Sequence, residues 1–491
     1  MAAIRPIVLT IAATDSAGIS GVSADIKVQN AFEVHTALAI TATTAQTPTG
    51  GFSLNATSDS VLNSQLCAAE SLSISAIKIG VVTSAQQMQL IVKHLPDAPI
   101  VWDPVLRSSL GADFISPRDI SAFVQPLVNR VDLITPNFDE AEQITGLVIK
   151  SKQDMIAAGI ALLDIGFKAV LLKGGHANND TASDYYCSQE RCFWLHSERQ
   201  ATANTRATGC NMSSAIASGL ALGHRMEDAV VLAKMTVNQG LREGYSLSNE
   251  PPIGGPVNIN RSPNNGKDLP SLTRQPIFES TEAFANTGPE PLGLYPIVER
   301  ADWLERLLPL GITTAQLRCK DLQGDALEQE IYNAIQIANR YECRFFVNDH
   351  WQLAIKHKAY GVHLGQEDLD SADLSAINAA GLRLGVSSHC HYEVARATAL
   401  KPSYIACGPV YETTTKIMPW QTHGVTGLDY WRNVLEHYPV VAIGGINAER
   451  LPDIASTGVS GVAMISAITH SKNPEDSTRH FMQILKGCSF Q

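Results

Sequence analysis

Residues 440–470 read VVAIGGINAERLPDIASTGVSGVAMISAITH. Two apolar runs, VVAIGG and GVAMIS, have strand length and are continuous rather than alternating. A helical stretch separates them, and another helix starts after Ser466. Continuous Val/Ile/Leu-rich runs alternating with helices read as parallel strands covered on both faces. The same unit recurs upstream: LYPIV (294–298), TTAQLR (313–318), RFFVND (344–349), GVHLG (361–365), RLGVSS (383–388) and YIACGPV (404–410). Helical stretches such as 325–341 and 427–437 separate these runs. Eight βα units in about 200 residues predict a closed (β/α)8 TIM barrel. An open doubly wound sheet is the alternative, and eight short, evenly spaced units suit it less well.

Upstream of the barrel the pattern breaks. Residues 251–293 hold 8 of the chain's 24 prolines and show poor periodicity. That composition reads as a linker with short ordered pieces. The expected organisation is a first domain over 1–260, a linker over 261–290 and the barrel over 291–491. In the first domain IVLTIAA, AIKIGVV, PIVWDPV, VDLITP and KAVLLKGG alternate with helical stretches at 139–146, 151–165 and 212–223. This predicts an α/β/α domain around a mostly parallel sheet. Cys187 and Cys192 flank a hairpin-like turn and read as ordinary core or surface residues.

A chain of 491 residues with 45% hydrophobic and 17% charged residues can bury sizeable cores. Its formal charge of −11, with no Lys/Arg block, argues against nucleic acid or an anionic membrane as partner. Phosphates must then be held locally, by helix N-termini, a few cations and Mg²⁺. The nine cysteines form no CxxC pair, which fits reduced thiols and a cytoplasmic location. The N-terminal IVLTIAA leads into a glycine loop and helix and reads as a strand, not a signal peptide. No apolar run approaches the ~18 residues of a membrane span.

Barrel chemistry sits at the C-terminal ends of strands, and here those ends are polar. They supply Gln316, Arg318 and Lys320, then Asn348 and Asp349, then Gln366 and Asp368, then Ser387. Thr413, Thr414, Thr415 and Lys416 follow the sixth strand, Gly444-Gly445 end the seventh and Ile465-Ser466 the eighth. Asp349 and Asp368 could share an Mg²⁺. Arg318, Lys320 and Lys416 could neutralise a diphosphate. The bare backbone of Gly444-Gly445 and the helix start at Ser466 suit a second phosphate. Read blandly, Asp349 is a helix N-cap and Arg318 a surface ion pair.

QLRCK, FVNDHW, GVHLGQEDL, LGVSSH, TTTK, VAIGGI and ISAI occur in order across 294–470. In these motifs the segment resembles thiamine-phosphate synthase. The resemblance implies that a hydroxymethylpyrimidine diphosphate loses pyrophosphate and that a thiazole phosphate nitrogen attacks its methylene carbon. It also implies that Gln316, Leu317, Arg318, Cys319, Lys320, Asn348, Ser387 and Lys416 line the pyrimidine diphosphate. Arg318 and Lys416 would act catalytically on the leaving group. Thr413, Thr414, Thr415, Gly445, Ile465 and Ser466 would take the thiazole phosphate. Glu412 stands where that family often has proline.

No GxxxxGK[ST] motif occurs, so the first domain holds no P-loop. The stretch TRATGCNMSSA (205–215) instead opens a long apolar helix whose free N–H groups could face a phosphoryl group. Cys210 lies in its first turn, where the dipole should lower a thiol pKa. TIAATDSAGISGVSADIK, AQTPTG, IKIG, VWDPV, ITPNFDEAEQITG, VLLKGGH and ATGCNMSSA occur in order within a resemblance that runs from 7 to about 258. They resemble the hydroxymethylpyrimidine and phosphomethylpyrimidine kinases of the ribokinase-like fold. That resemblance implies ATP as co-substrate, Gln46 on the pyrimidine and Cys210 as catalytic base. It further implies Lys173, Ala207, Thr208 and Gly209 at the ATP phosphates, and Glu140 at Mg²⁺ or its water. Read blandly, Asp25 and Lys27 form a solvated helix face, and Asp103-Pro104 a strand-end turn.

Two loops depart from that pattern. GGGAG is here AGISG, and HGTGCT is here RATGCN. Ala207 is expected to avoid the φ > 0 conformations that glycine allows. The leading reading is a bifunctional enzyme of thiamine biosynthesis acting on small molecules and forming a homo-oligomer. The alternatives are an active synthase with a degenerate, non-catalytic pyrimidine-binding first domain, and a kinase for another pyridoxal- or pyrimidine-like alcohol.

Overall fold

The computed structural model describes residues 4–46, 51–107, 114–175, 180–247, 254–276, 282–413 and 420–487. The chain forms two compact units, Met1–Pro263 with Asp268–Phe278, and Asn264–Lys267 with Glu279–Gln491. Among the described residues no helix is long and apolar enough to cross a membrane.

The first unit runs β1 (Ile7–Asp15), α1 (Val22–Ala31), β2 (His35–Gln46), β3 (Gly51–Ala56), α2 (Asp59–Ala69), β4 (Ile74–Ile79), α3 (Ala85–Lys93), β5 (Ile100–Trp102) and α4 (Ile120–Val124). It continues through β6 (Leu133–Ile134), α5 (Phe138–Thr145), α6 (Lys152–Ile165), β7 (Ala169–Leu172), β8 (Thr181–Ser188), β9 (Cys192–Glu198), α7 (Thr208–Ala221), α8 (Met226–Arg242) and β10 (Ser271–Thr273). These strands make one sheet in the order β10-β9-β8-β7-β6-β5-β4-β1-β2-β3. The stretch from β2 through β1, β4, β5 and β6 to β7 is parallel, and the strands beyond either end of it pair antiparallel. Local sequence explains the helix bounds. Asn137 with Glu140 and Ser151 with Asp154 close capping boxes at the starts of α5 and α6. Gly146 and Gly166 end the same helices in the left-handed conformation.

The stretch 261–290, expected as a linker with short ordered pieces, carries such pieces, and these pack into the units themselves. Its residues 268–278 belong to the first unit, and β10 pairs with β9. Asp268 is buried and holds Arg242 at 2.7 Å, while Phe284 is buried in the second unit. Proline spacing hides such strands because three residues at a sheet edge need no long apolar run. β2 was also not among the predicted strands. Its sequence HTALAITATTAQ alternates between buried and exposed positions, so it lacks a continuous apolar run.

The second unit is a closed barrel of β11 (Gly293–Val298), β12 (Thr314–Leu317), β13 (Arg344–Asn348), β14 (Gly361–Leu364), β15 (Arg383–Ser388), β16 (Tyr404–Cys407), β17 (Val440–Ile443) and β18 (Gly461–Met464). Its strands pair in sequence order, and β11 closes on β18. The interior is filled by Tyr295, Phe346 and Tyr404, with ring centroids 5.1 to 6.0 Å apart. Glycine on β15 makes the room. A Cβ on Gly385 would lie 2.2 Å from Tyr404 Cζ. Gly385→Ala is therefore expected to force the Tyr404 ring aside and cost about 1–3 kcal/mol. Thermal unfolding of the variant measures this, and an unchanged Tm would refute the packing argument.

Candidate active sites

In the first unit the polar residues gather at the carboxyl ends of the parallel strands, where open α/β sheets bind ligands. A register shift between Ala12 and Thr14 bends the end of β1. Asp15 then accepts the N–H groups of Ala17, Ile19 and Ser20 and so shapes the AGISG loop. Gly21 has φ 59, and a Cβ there would lie 2.2 Å from the Ala13 carbonyl oxygen. Its N–H points instead at Cys210. Gln46 ends β2 beside this loop, with its N–H bonded to Ser16 Oγ and its Nε2 to Thr44 Oγ1.

Helix α7 starts at Thr208 behind Ala207, which has φ 68 and ψ 17. The expectation that Ala207 avoids positive φ is thus wrong. Arg206 is pinned on both sides, donating to the Gly255 carbonyl and accepting from Val257, so the chain must turn within one residue. Asn211, the other departure, donates its side-chain amide to the Ala207 carbonyl at 2.6 Å and braces that turn. The first ladder bond of α7 is Asn211 N–H to Ala207. The amides of Thr208, Gly209 and Cys210 precede it and are free of intrahelical partners.

Two ion pairs lie beneath this helix start. Lys78 and Asp25 meet at 2.8 Å with both side chains buried, and Ser214 Oγ donates to Asp25 at 2.6 Å. Asp25 is not the solvated residue that the sequence suggested; only Lys27 is exposed, reaching the Gly18 carbonyl. Burial works against the Lys78 ammonium, but Asp25, Cys210 and Asp103 together hold its pKa above the usual range. Lys173 and Asp103 form the second pair at 2.8 Å. A Cβ on Gly209 would sit 3.2 Å from Lys173 Nζ, so glycine lets that ammonium approach the first turn. Lys78 went unnoticed in sequence because a lone lysine in AIKIGVV looks like an outward-facing strand residue.

Cys210 also departs from its expectation. The dipole was to lower its pKa, yet burial pushes the thiol up to about 11. Lys78 and the Gly21 N–H pull the other way and do not offset that desolvation, to which Asp25 and Asp103 add. Glu140 is buried and accepts the Asn137 N–H at 2.8 Å in its capping box. Burial pushes its carboxyl up to about 7, against the opposing Lys173 charge.

The barrel site begins with one hydrogen-bond chain across the interior. Gln316 Nε2 donates to Asn348 Oδ1 at 2.8 Å, and Tyr295 donates its hydroxyl to Gln316 Oε1 at 3.2 Å. Tyr295 and Tyr404 hydroxyls lie 2.8 Å apart, Tyr404 lies 2.7 Å from His363 Nδ1, and His363 Nε2 lies 2.8 Å from Ser387 Oγ. The donors can be assigned in turn. Tyr295 uses its proton on Gln316, so Tyr404 donates to Tyr295. His363 must then donate from Nδ1 to Tyr404, and Ser387 donates to the bare Nε2. Burial pushes His363 down to about 4 against the opposing Asp349 charge, with Arg318 and His389 adding to the shift, so it is neutral at pH 7. Tyr295, Tyr404 and His363 were not predicted. Their only sequence signal is a polar atom inside an apolar strand run.

Charged groups lie at the rim. Lys320 is paired with Asp349, which has φ 65. Asp368 accepts the Gly365 N–H at 3.1 Å and is hydrogen-bonded to Asp349. Burial and then the Asp349 charge raise its pKa. Two touching carboxylates of this kind need a proton or a cation between them, so their hard oxygens fit Mg²⁺. Leu317 is buried on the opposite strand face from Gln316, and Cys319 is buried against Arg300 and Asp321. Neither side chain shares the interior with Gln316. Ser466 opens a four-residue helix, α-helical through Thr469, behind Ile465. Gly445 has φ 62, and a Cβ there would lie 2.4 Å from the Glu412 carbonyl oxygen. Its own carbonyl accepts Arg450 Nη1 at 2.6 Å, and the Arg450 guanidinium lies 4.3 Å from the Tyr411 ring. Thr413 is described; Thr414, Thr415 and Lys416 lie outside the described residues.

Comparison with known proteins assigns the two units separately. Residues 15–257 match the phosphomethylpyrimidine kinase family and residues 294–468 the thiamine monophosphate synthase family. A thiamine-phosphate synthase of Proteus mirabilis is 50% identical over 208 residues, which cover 42% of this chain and 96% of that one. One of Photorhabdus laumondii is 52% identical over 196 residues, covering 40% and 91%. A pyridoxal kinase of Staphylococcus aureus, solved with ADP, aligns at TM-score 0.51 and 25% identity over 55% of this chain and 98% of that one.

Two measurements check this geometry. Ala207→Gly should relieve the left-handed alanine and raise stability by up to about 1 kcal/mol, read as a higher Tm. Glu140 binds its proton more tightly folded than unfolded. Its contribution should therefore be lost as pH rises from about 4.5 to about 7. Denaturation across that range should show a smaller decline in Glu140→Gln than in the native chain.

Proposed function

Because the chain belongs to the thiamine-phosphate synthase family through its second unit and carries a phosphomethylpyrimidine kinase domain in its first, we propose that it makes thiamine phosphate in two stages. ATP phosphorylates hydroxymethylpyrimidine and then its monophosphate in the first unit. In the second the pyrimidine methylene C–O bond breaks, pyrophosphate leaves, and the thiazole nitrogen forms the new C–N bond. The observation that carries this reading is the directed chain from Asn348 to Ser387, which lies beside the Arg318, Lys320, Asp349 and Asp368 charges.

In the barrel, Gln316, Asn348 and Ser387 orient the pyrimidine, while Arg318 and Lys320 bind the diphosphate. Neutral His363 fixes the Ser387 hydroxyl rather than adding a charge. Asp349 and Asp368 would hold Mg²⁺, which supplies neutralisation of the leaving diphosphate. Thr413, Gly445, Ile465 and Ser466, with Thr414 and Thr415, take the thiazole phosphate, and Lys416 joins Arg318 at the leaving diphosphate. In the kinase, Gln46 binds the aminopyrimidine edge with its side-chain amide, and the Thr208, Gly209 and Cys210 backbone amides with Lys173 face the transferring phosphoryl. Glu140 would hold Mg²⁺ or its water. Cys210 rests as a thiol, so it takes the substrate proton from a thiolate fraction that grows with pH. The reading includes a cytoplasmic homo-oligomer. Ala207 and Asn211 support an active kinase, because together they keep the turn into α7 that glycine would make.

One coupled assay tests the proposal. Purified protein receives hydroxymethylpyrimidine, ATP, Mg²⁺ and thiazole phosphate, and thiamine phosphate is measured. Product is expected from the alcohol, with a kinase rate that rises as pH increases above neutrality. Cys210→Ala should lower product from the alcohol by about 100-fold or more and leave product from preformed diphosphate unchanged. Product from preformed diphosphate alone in the native chain would remove the kinase assignment.

A further inference from the structure

Three metal-ligating side chains of different chemistry meet on the first unit, at the C-terminal ends of α2 and α3. Cys67 and Glu70 lie one turn apart on the α2 side, and His94 follows the last residue of α3. Their Sγ, carboxylate oxygen and imidazole nitrogen all lie within 4.8 Å of one another. Cys67 and Glu70 are exposed, so rotamer changes can bring the atoms to bonding distance. None of the three belongs to the kinase site at the carboxyl ends of the strands.

Asn63 organises the group from its other side. Its Oδ1 lies 3.0 Å from His94 Nε2, and its Nδ2 lies 3.6 Å from Cys67 Sγ. A carboxamide oxygen only accepts, so His94 carries a proton on Nε2. His94 Nδ1 then faces Glu70 Oε1 at 2.7 Å. A proton or a metal can join these two atoms. An oxygen acceptor on the outer ring nitrogen is the usual support for a metal-ligating histidine, and Asn63 Oδ1 supplies one here. Beside these ligands a cavity of about 210 Å³, lined in part by Glu70, His94, Leu72 and Pro96, leaves space for a further ligand.

We propose that Cys67, Glu70 and His94 form a binding site for a borderline-soft divalent metal of the Zn²⁺ class, with a water facing the cavity as fourth ligand. A thiolate, an imidazole and a carboxylate suit zinc and exclude Mg²⁺ and Ca²⁺, which take oxygen ligands. Binding releases the Cys67 thiol proton and the proton between His94 and Glu70, so affinity rises with pH. The metal ties the end of α2 to the end of α3.

Co²⁺ is the probe. Full-length protein is stripped with chelator, supplied with excess Mg²⁺ to fill hard-oxygen sites, and titrated with Co²⁺. The expected result is a thiolate-to-cobalt charge-transfer band that saturates at one equivalent and is abolished by Zn²⁺. Cys67→Ser should remove the band with little change in Tm, since the residue is exposed. His94→Ala should weaken Co²⁺ binding by at least about tenfold. No band in the native chain, or a band that persists in Cys67→Ser, overturns the site and leaves the His94–Glu70 contact as a protonated ion pair.

Discussion

Parallel pairing is the constraint on which both units depend. It turns every strand of the barrel, and the central strands of the first sheet, so that their carboxyl ends share one rim. Side chains that would be scattered on an antiparallel meander are thereby collected. Lys173 and the α7 start meet in one unit; Gln316 and Asn348 meet in the other and are linked through Tyr295, Tyr404 and His363 to Ser387. The strands are buried on both faces, so each polar side chain carried on them needs a partner inside the protein. The ion pairs Lys78–Asp25 and Lys173–Asp103 and the chain from Asn348 to Ser387 are the result.

Desolvation, rather than the helix dipole, sets the charge states of these groups. At Cys210 the helix terminus, Lys78 and the Gly21 amide all favour a thiolate, and burial still prevails. At His363 burial removes the positive charge, which leaves one directed tautomer for Ser387. Glu140 follows the same rule despite the neighbouring Lys173. The contributions of a dipole or a single cation are of order 1 kcal/mol, whereas removing a charge from water costs several.

Much of the fold was legible in the order of residues. The eight barrel strands were recognisable because each is a short apolar run ending in polar residues. The rim residues followed from that, as did Cys210 from the helix start it occupies. β2 and β10 were not legible, because one alternates in burial and the other is three residues long at an edge. Asp25 reads as solvated beside Lys27, and Lys78 as the lone charge of its strand; they lie 53 positions apart, and only their meeting makes either intelligible. Ala207 was misjudged because the pressure for positive φ comes from residues near 255, not from its neighbours.

The two architectures, the absence of a P-loop and the residue types at the strand ends follow from residue order alone. These depend on periodicity and local motifs, which act over a few residues. Only the tertiary structure decided which groups touch and which are charged. Tyr295, Tyr404 and His363 become one chain across the barrel, Asp349 and Asp368 become a pair, and Cys67, Glu70 and His94 become a cluster. A contact between distant residues and the water it excludes have no signature in local order, because both are set by how the whole chain packs.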